Sequence, residues 1–231
     1  MTDTITIILA TGNRDKVKEL RPLLEHISPI ITVVTLPELG VSVDVEETEE
    51  TLEGNALLKA RAIFSLLENR FPFLIALADD TGLEVAALDG APGVYSARYA
   101  PTADGTAPTY SDNVNHLLKN MEGKEERSAC FRSVIALKGR IPMGDSKAFA
   151  FEQTAAGEVH GSITQEPFGD GGFGYDPVFY VEATSKTYAQ MSIAEKNSMS
   201  HRARAVQQAI TKLRTLFAEH HLPLTPSMEQ A

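Results

Sequence analysis

Leu74-Ile75-Ala76-Leu77-Ala78-Asp79-Asp80-Thr81-Gly82-Leu83 decides how this chain is read. Five apolar residues, the mark of a buried strand, run directly into two carboxylates, a hydroxyl and a glycine. The pattern predicts a strand over Leu74 to Ala78 that ends in a glycine turn and delivers both acids to the mouth of a cleft. Neighbouring carboxylates repel each other and are costly to hold together unless a cation or a shared proton compensates them. The alternative is an ordinary polar turn, because Asp and Gly are common turn residues. The rest of the chain decides between the two.

Working outward, strands and helices alternate. Ile5 to Leu9 is a β-branched run ending at Ala10-Thr11-Gly12-Asn13, and Val17, Leu20 and Leu24 then mark one helix face. Ile30 to Thr35 reads as a second strand. Acids dominate Asp44 to Glu53, and Ala56, Leu57, Ala60, Ile63, Phe64 and Leu67 put one apolar side on a helix over Ala56 to Leu67. Beyond Leu83 to Leu88 comes a breaker cluster, Gly90-Ala91-Pro92-Gly93, and then a helix marked by Val114, Leu117, Leu118 and Met121. Two β-like runs, Ser128 to Leu137 and Lys147 to Thr154, flank Gly139 to Gly144 as a hairpin would, and are expected to build a separate lobe. Pro167 to Pro177 is a glycine-rich loop and Val178 to Val181 is apolar. Ala203, Val206, Ile210, Leu213 and Phe217 form the stripe of a last helix, expected to serve as core or dimer contact. Pro223 to Ala231 reads as a frayed tail. Interleaved strands and helices predict an α/β fold with a mixed sheet. No linker separates two domains, so residues 1–231 read as one domain with two lobes and a cleft, the last residues from about 218 being an extension.

Composition narrows the function. Hydrophobic residues make up 43% of 231, which supports a packed core and excludes a disordered chain. The single cysteine, Cys130, excludes an internal disulfide and a cysteine-based zinc site, and suits a reducing cytoplasm. Within Ala129-Cys130-Phe131 it reads as a buried structural thiol in preference to a nucleophile. The start of the chain has no basic segment and too short an apolar run for a signal peptide. No stretch approaches the roughly 20 apolar residues of a membrane span. A formal charge of −10 argues against nucleic-acid and anionic-membrane partners, but not against one small anion held by local cations or a metal.

Two tempting motifs fail. Gly169 to Gly174 matches the spacing of a dinucleotide fingerprint, but that motif needs a strand before it and a helix opening within it; here Pro167 precedes and Asp176-Pro177 follows. Gly139 to Gly144 has the glycine spacing of a phosphate loop with Asp145 where the lysine belongs, and an acid there repels phosphate. The nucleophile-elbow serine pattern is absent, and the six histidines lack zinc-hydrolase spacing.

Four segments hold more. In Thr11-Gly12-Asn13-Arg14-Asp15-Lys16, Gly12 permits close backbone approach and the amides of the coming helix point at the turn. Lys16 in that first turn opposes the helix dipole, a penalty a bound phosphate would reverse; a plain helix entry is the alternative. The run Glu46, Glu47, Glu49, Glu50 and Glu53 fits the start of a helix, yet Glu46 or Glu47 with Asp80 would also suit magnesium, which takes one or two carboxylates plus substrate phosphates. Ser192-Ile193-Ala194-Glu195 fits a capping box on a short helix carrying Lys196. Ser200-His201-Arg202 then opens the last helix with basic groups at the wrong end of the dipole, which either a ligand explains or solvent and Glu195 absorb. Phe173-Gly174-Tyr175-Asp176-Pro177 offers rings and backbone donors to a base, or is simply a rigid loop packed by its aromatics.

Taken together, these segments resemble the inosine triphosphate pyrophosphatase family, enzymes that remove non-canonical purine nucleotides. The resemblance rests on Thr11-Gly12-Asn13 with Lys16, Glu46-Glu47-Thr48, Asn55-Ala56 with Lys59-Ala60-Arg61, and Ala78 to Leu83. It continues through Gly90 to Gly93, Ser96-Ala97-Arg98-Tyr99, Gly171 to Pro177, Glu195-Lys196 and Ser200-His201-Arg202, in family order from about Ile7 to Leu216. It implies magnesium-dependent hydrolysis of ITP, dITP and XTP to the monophosphate and pyrophosphate. It also implies a long mixed sheet flanked by helices, two lobes around a deep cleft, and a homodimer. By matching positions, Thr11, Gly12, Asn13, Arg14, Asp15 and Lys16 hold the triphosphate, and Lys16 steadies the leaving pyrophosphate. Glu46 and Asp80 serve the metal with Glu47 beside them, and Asp80 takes the proton of the attacking water. Thr81, Phe173, Gly174, Tyr175, Asp176, Lys196, His201 and Arg202 bind substrate. Thr81 stands where serine is commoner, Ala100 to Tyr110 is longer than usual, and the residues after Phe217 carry no family motif. A non-catalytic nucleotide-binding protein is the rival; so many acids do nothing for simple polyanion binding unless a metal is present.

Overall fold

The computed structural model describes residues 4–102, 106–143 and 147–226. In chain order its elements begin with β1 (Ile5–Leu9), α1 (Arg14–Leu24), β2 (Ile31–Thr35), α2 (Leu52–Leu67) and β3 (Leu74–Val85). Then follow β4 (Pro92–Gly93), α3 (Tyr110–Asn120), β5 (Ser128–Pro142) and β6 (Ala148–Ile163). The last are β7 (Phe179–Val181), β8 (Lys186–Thr187), α4 (Ile193–Met199) and α5 (His201–Glu219). One eight-stranded sheet has the order β2-β1-β3-β5-β6-β7-β8, with β4 paired to β3. β1 runs parallel to β2 and β3, while the β3–β4, β6–β7 and β7–β8 pairs are antiparallel, so the sheet is mixed as expected.

The chain forms two compact units: Met1–Asp80, Val134–Ala156 and Ala205–Ala231 make the first, Thr81–Ser133 and Gly157–Arg204 the second. The core of the first gathers Ile5, Ile7 and Leu9 of β1, Leu20 and Leu24 of α1, Ile75 and Leu77 of β3, and the α5 stripe Val206, Ile210, Leu213 and Phe217. That stripe is therefore core. β1 is buried along its whole length, which is why it reads as an unbroken apolar run. The second unit packs Val114 and Leu117 of α3 against Leu83, Val85, Phe131, Val159, Phe179 and Tyr188.

Four sequence expectations change. First, no glycine turn ends β3: the strand continues through Asp79, Asp80, Thr81 and Gly82 to Val85, because Leu83 and Val85 supply a further buried stretch and Leu83 and Glu84 pair with β4. Second, β5 and β6 are longer than read, and Gly139 lies inside β5, where a Cβ would stand 2.6 Å from the Phe151 ring; only Gly144-Asp145-Ser146 of the expected hairpin segment fall outside the described residues. Third, those two strands do not build a separate lobe, since each contributes to both units. Fourth, the tail is docked as far as it is described: Leu222 and Leu224 pack on the first core, the Thr225 amide donates to Ile27 O at 3.1 Å, and Ser28 Oγ donates to Pro223 O. Residues 227–231, and Ala103-Asp104-Gly105 of the long Ala100 to Tyr110 segment, lie outside the described residues.

Candidate active site

Adjacent residues of an extended strand point to opposite faces of the sheet. That rule answers the question of how Asp79 and Asp80 tolerate each other: inside β3 they diverge, and each meets its own lysine. Asp79 lies on the Leu77 face, two residues beyond the Leu9–Leu77 register pair. There Lys16 of α1 places Nζ 3.1 Å from Asp79 Oδ1. Asp80 meets Lys59 of α2, whose Nζ is 2.7 Å from Asp80 Oδ1 and 2.5 Å from Glu47 Oε1. Asp79 and Asp80 are only 3% and 5% exposed.

Local structure positions each partner. Asn13 caps α1, its Oδ1 accepting from the amides of Asp15 at 2.9 Å and Lys16 at 3.3 Å, while Thr11 Oγ1 accepts from the Asn13 amide. Two of the amides expected to face a ligand are thus engaged by the cap. A Cβ at Gly12 would meet nothing within 4 Å, so no packing among the described residues demands glycine there. Arg14 is exposed, and the Asp15 carboxylate pairs with exposed Lys18. Thr51 caps α2 through Gly54, and Asn55 exchanges hydrogen bonds with the backbone of Glu49, which pins the acidic loop to the start of α2 and brings Glu47 to Lys59. Glu46 is exposed.

Burial raises the Asp80 pKa and Glu47 adds to it, against the pull of Lys59 and Lys16. Burial also works against the Lys59 charge, but two carboxylates outweigh it and its pKa is raised. The ammonium is therefore held firmly charged, while Asp80 is a carboxylate with raised proton affinity. Asp80 Oδ2 is buried with no hydrogen-bond partner among the described residues. An oxygen in that state suits a proton, a water or a hard cation.

The second unit assembles a different group. Thr81 Oγ1 lies 2.6 Å from Ser133 Oγ, which lies 2.8 Å from His201 Nδ1, and Arg202 Nη2 donates to Thr81 Oγ1 at 3.1 Å. His201 stacks on Phe131, with ring centroids 4.6 Å apart at 13°. Lys196 Nζ donates to Asp176 Oδ2 at 2.7 Å, and both Lys196 and the Arg202 guanidinium lie over the Phe173 ring, at 5.3 and 5.4 Å. Lys196, His201 and Arg202 are each 3% exposed, so neither solvent nor Glu195 absorbs the basic start of α5. Glu195 instead closes the capping box with Ser192 and pairs with Lys186, which together bring its pKa down to about 2. The glycine loop is shaped by Asp176: its Oδ2 accepts from the Phe173 amide and would stand 2.0 Å from a Cβ at Gly172, whose φ is +70°. Gly174 is also left-handed, at +61°. Tyr175 is buried in the second core with its hydroxyl donating to Ser96 O, and burial raises its pKa. Neither strand nor helix brackets Gly169 to Gly174, as the rejection of a dinucleotide motif requires.

Three residues without an assigned role prove central to these groups: Lys59, Asp79 and Ser133. Lys59 had a readable signal, since it falls three residues after Ala56 and four before Ile63, on the apolar side of α2. Ser133 had only its place on the inward side of β5.

The sequence profile of the Ham1 family matches residues 7–212. The chain belongs to the Ham1 family. The match contains every residue of both groups, from Thr11 to Arg202, and leaves the end of α5 and the docked tail outside. A Ham1 relative from Chlorobaculum tepidum, named dITP/XTP pyrophosphatase, is 59% identical over 209 residues, covering 90% of this chain and 92% of that protein. A dITP/XTP pyrophosphatase from Porphyromonas gingivalis is 45% identical over 87% of this chain and 94% of its own length. Among solved Ham1 structures, that of Coxiella burnetii superposes with a TM-score of 0.75 at 36% identity, covering 92% of this chain and all of that one. The Staphylococcus aureus Ham1 protein gives 0.72 at 35% identity, covering 91% and 99%. These relatives bear out the resemblance drawn from the motifs.

Proposed function

We propose that this protein hydrolyses non-canonical purine nucleoside triphosphates, of the dITP and XTP class, to the monophosphate and pyrophosphate. The observation that carries the reading is the Glu47–Lys59–Asp80 arrangement with the orphaned Asp80 Oδ2. Binding alone needs no buried carboxylate of raised proton affinity, whereas general-base catalysis does. The named relatives above support the same reading.

In this reading Asp80 accepts the proton of the attacking water at Oδ2 while Lys59 holds its other oxygen. Lys16, released from Asp79 toward the phosphates, offsets charge on the leaving pyrophosphate. Thr11 to Asp15 line the turn where the phosphate chain approaches over Gly12. The oxygens of Glu46, Glu47 and Asp80 fit a hard divalent cation, and magnesium, when bound, supplies neutralisation of phosphate oxygens and orientation of water. In the second unit the ring of Phe173 offers a stacking face, and Arg202, Lys196 and His201 offer donors to a 6-keto oxygen. A 6-amino purine presents donors to the same groups and leaves them unpaired, which disfavours adenine. As the resemblance implies, the chain works as a homodimer in the cytoplasm, and light scattering of the purified protein reports that mass. No described helix is long and apolar enough to cross a membrane.

The test is product analysis on dITP with and without magnesium. Pyrophosphate release that depends on the metal supports the reading; orthophosphate as the product, or tight binding of ITP without turnover, contradicts it.

A further inference from the structure

In the second unit the strands carry a regular alternation. Ala129, Phe131 and Ser133 of β5 and Val159 and Ile163 of β6 are buried, so Ser128, Cys130 and Arg132 project from the opposite face together with Glu158 and His160. β5 and β6 are neighbours in the sheet. Their pairing gathers Cys130 Sγ, one Glu158 carboxylate oxygen and one His160 ring nitrogen so that all three lie within 4.8 Å of one another. His160 Nε2 is 3.5 Å from Glu158 Oε1. Cys130 is half-buried; Glu158 and His160 are exposed. Glu84, exposed on neighbouring β3, acts on the Cys130 thiol through its charge, as Glu158 does. None of these side chains belongs to the two groups described above.

We propose that Cys130, Glu158 and His160 form a binding site for a divalent cation of the zinc class, separate from the magnesium chemistry assigned to the carboxylates of the first unit. Thiolate, imidazole and carboxylate together are a borderline donor set that suits zinc and its analogues and serves magnesium poorly. Around a tetrahedral zinc such donors stand roughly 3.3–3.7 Å apart, so closing from the observed spacing takes movements of about 1 Å. Rotation of the exposed Glu158 and His160 side chains supplies that movement. On binding, the sulfur–metal bond forms as the thiol loses its proton to solvent. The cation offsets the mutual repulsion of Glu84, Glu158 and the new thiolate, alongside the opposing charge of Arg132. Three protein ligands leave a fourth position for water, the arrangement of an open site. A chain with one cysteine cannot build a site from several thiolates; strand pairing supplies a mixed one instead.

The test is a Co(II) titration of the full-length protein, stripped with a chelator and held in excess magnesium. The expected result is one Co(II) per chain, with a thiolate-to-cobalt charge-transfer band and visible bands of four-coordinate intensity. Cys130→Ser removes the charge-transfer band, and His160→Ala weakens binding by at least about tenfold. His160 is exposed, so its variant carries the test even where Cys130→Ser fails to fold. A wild-type protein without the charge-transfer band, or a His160→Ala protein with unchanged affinity, overturns the site. Half an equivalent of Co(II) per chain overturns it as a site within one chain. Hydrolysis of dITP in magnesium is the same in both variants, so this outcome is independent of the pyrophosphatase reading.

Discussion

Asp80 and Thr81 are chain neighbours on β3, yet their surroundings are opposite in kind. Around Asp80, three carboxylates (Glu47, Asp79 and Asp80) meet two ammonium groups from Lys16 and Lys59, and Asp80 Oδ2 has no hydrogen-bond partner among the described residues. Around Thr81, a hydroxyl chain runs to Ser133 and His201, one carboxylate meets Lys196, and Arg202 lies over an aromatic ring. The first group is rich in acid and incompletely satisfied; the second is rich in donors and rings and closely tied. In the proposed function the first manages charge as it moves and the second reads the edge of a neutral ring. One strand supplies both because its alternation sends successive side chains to different partners.

The largest effect falls at Asp80. Asp80→Asn should lower kcat on dITP by roughly 10³-fold with near-ultraviolet circular dichroism unchanged, as expected when a general base is removed. Turnover within a few-fold of wild type would remove Asp80 from that role. Lys59→Met comes next: it strips the cation from Asp80 and Glu47 at once, leaving mostly buried carboxylates uncompensated. Urea unfolding should show a loss of about 3 kcal/mol at constant m, the cost typical of breaking a buried pair from one side. An unchanged midpoint would mean that Lys59 is not what holds these acids in place.

The smallest effect sharpens the contrast from outside both groups. Glu195 is exposed, and its pKa is about 2 in the folded protein, lowered by Lys186 and by the Ser192 cap. A lowered carboxylate pKa contributes stability above the unfolded value of about 4.3 and loses it as pH falls toward the folded value. Glu195→Gln should therefore melt slightly below wild type at pH 7, with the gap closing between about pH 4.3 and 2. A gap that persists at pH 2 would assign the effect to packing instead of charge.

Much of this was legible in the sequence where periodicity carried it. β1, α1, α2 and α5 follow from apolar spacing alone, and the capping box at Ser192 was found where its residues predict. Strand lengths were not legible. Asp79 to Gly82 and Gly139 carry turn residues, yet they lie within β3 and β5, strands flanked on both sides in the sheet. The candidate site was legible as a set of residue types and illegible as a set of partners. Nothing local indicates that Asp79 and Asp80 take separate lysines, that Asn13 engages the α1 amides, or that Ser133 links Thr81 to His201. Tyr175, a ring beside the glycine loop expected to meet substrate, is buried in the second core with its hydroxyl bonded to Ser96 O, a partner no local pattern indicates. Cys130 stands half-buried on a strand face, not enclosed, and burial with Glu158 and Glu84 nearby pushes its thiol up to about 11.

The proposed division of labour between the two groups is read most directly from the ratio of kcat/KM for dITP over dATP, measured side by side in Lys59→Met and Arg202→Met. Lys59→Met should slow both substrates by roughly 10²-fold while keeping their ratio, and Arg202→Met should lower the ratio by about tenfold or more while kcat on dITP stays within a few-fold. A ratio that changes in Lys59→Met and survives in Arg202→Met would contradict it.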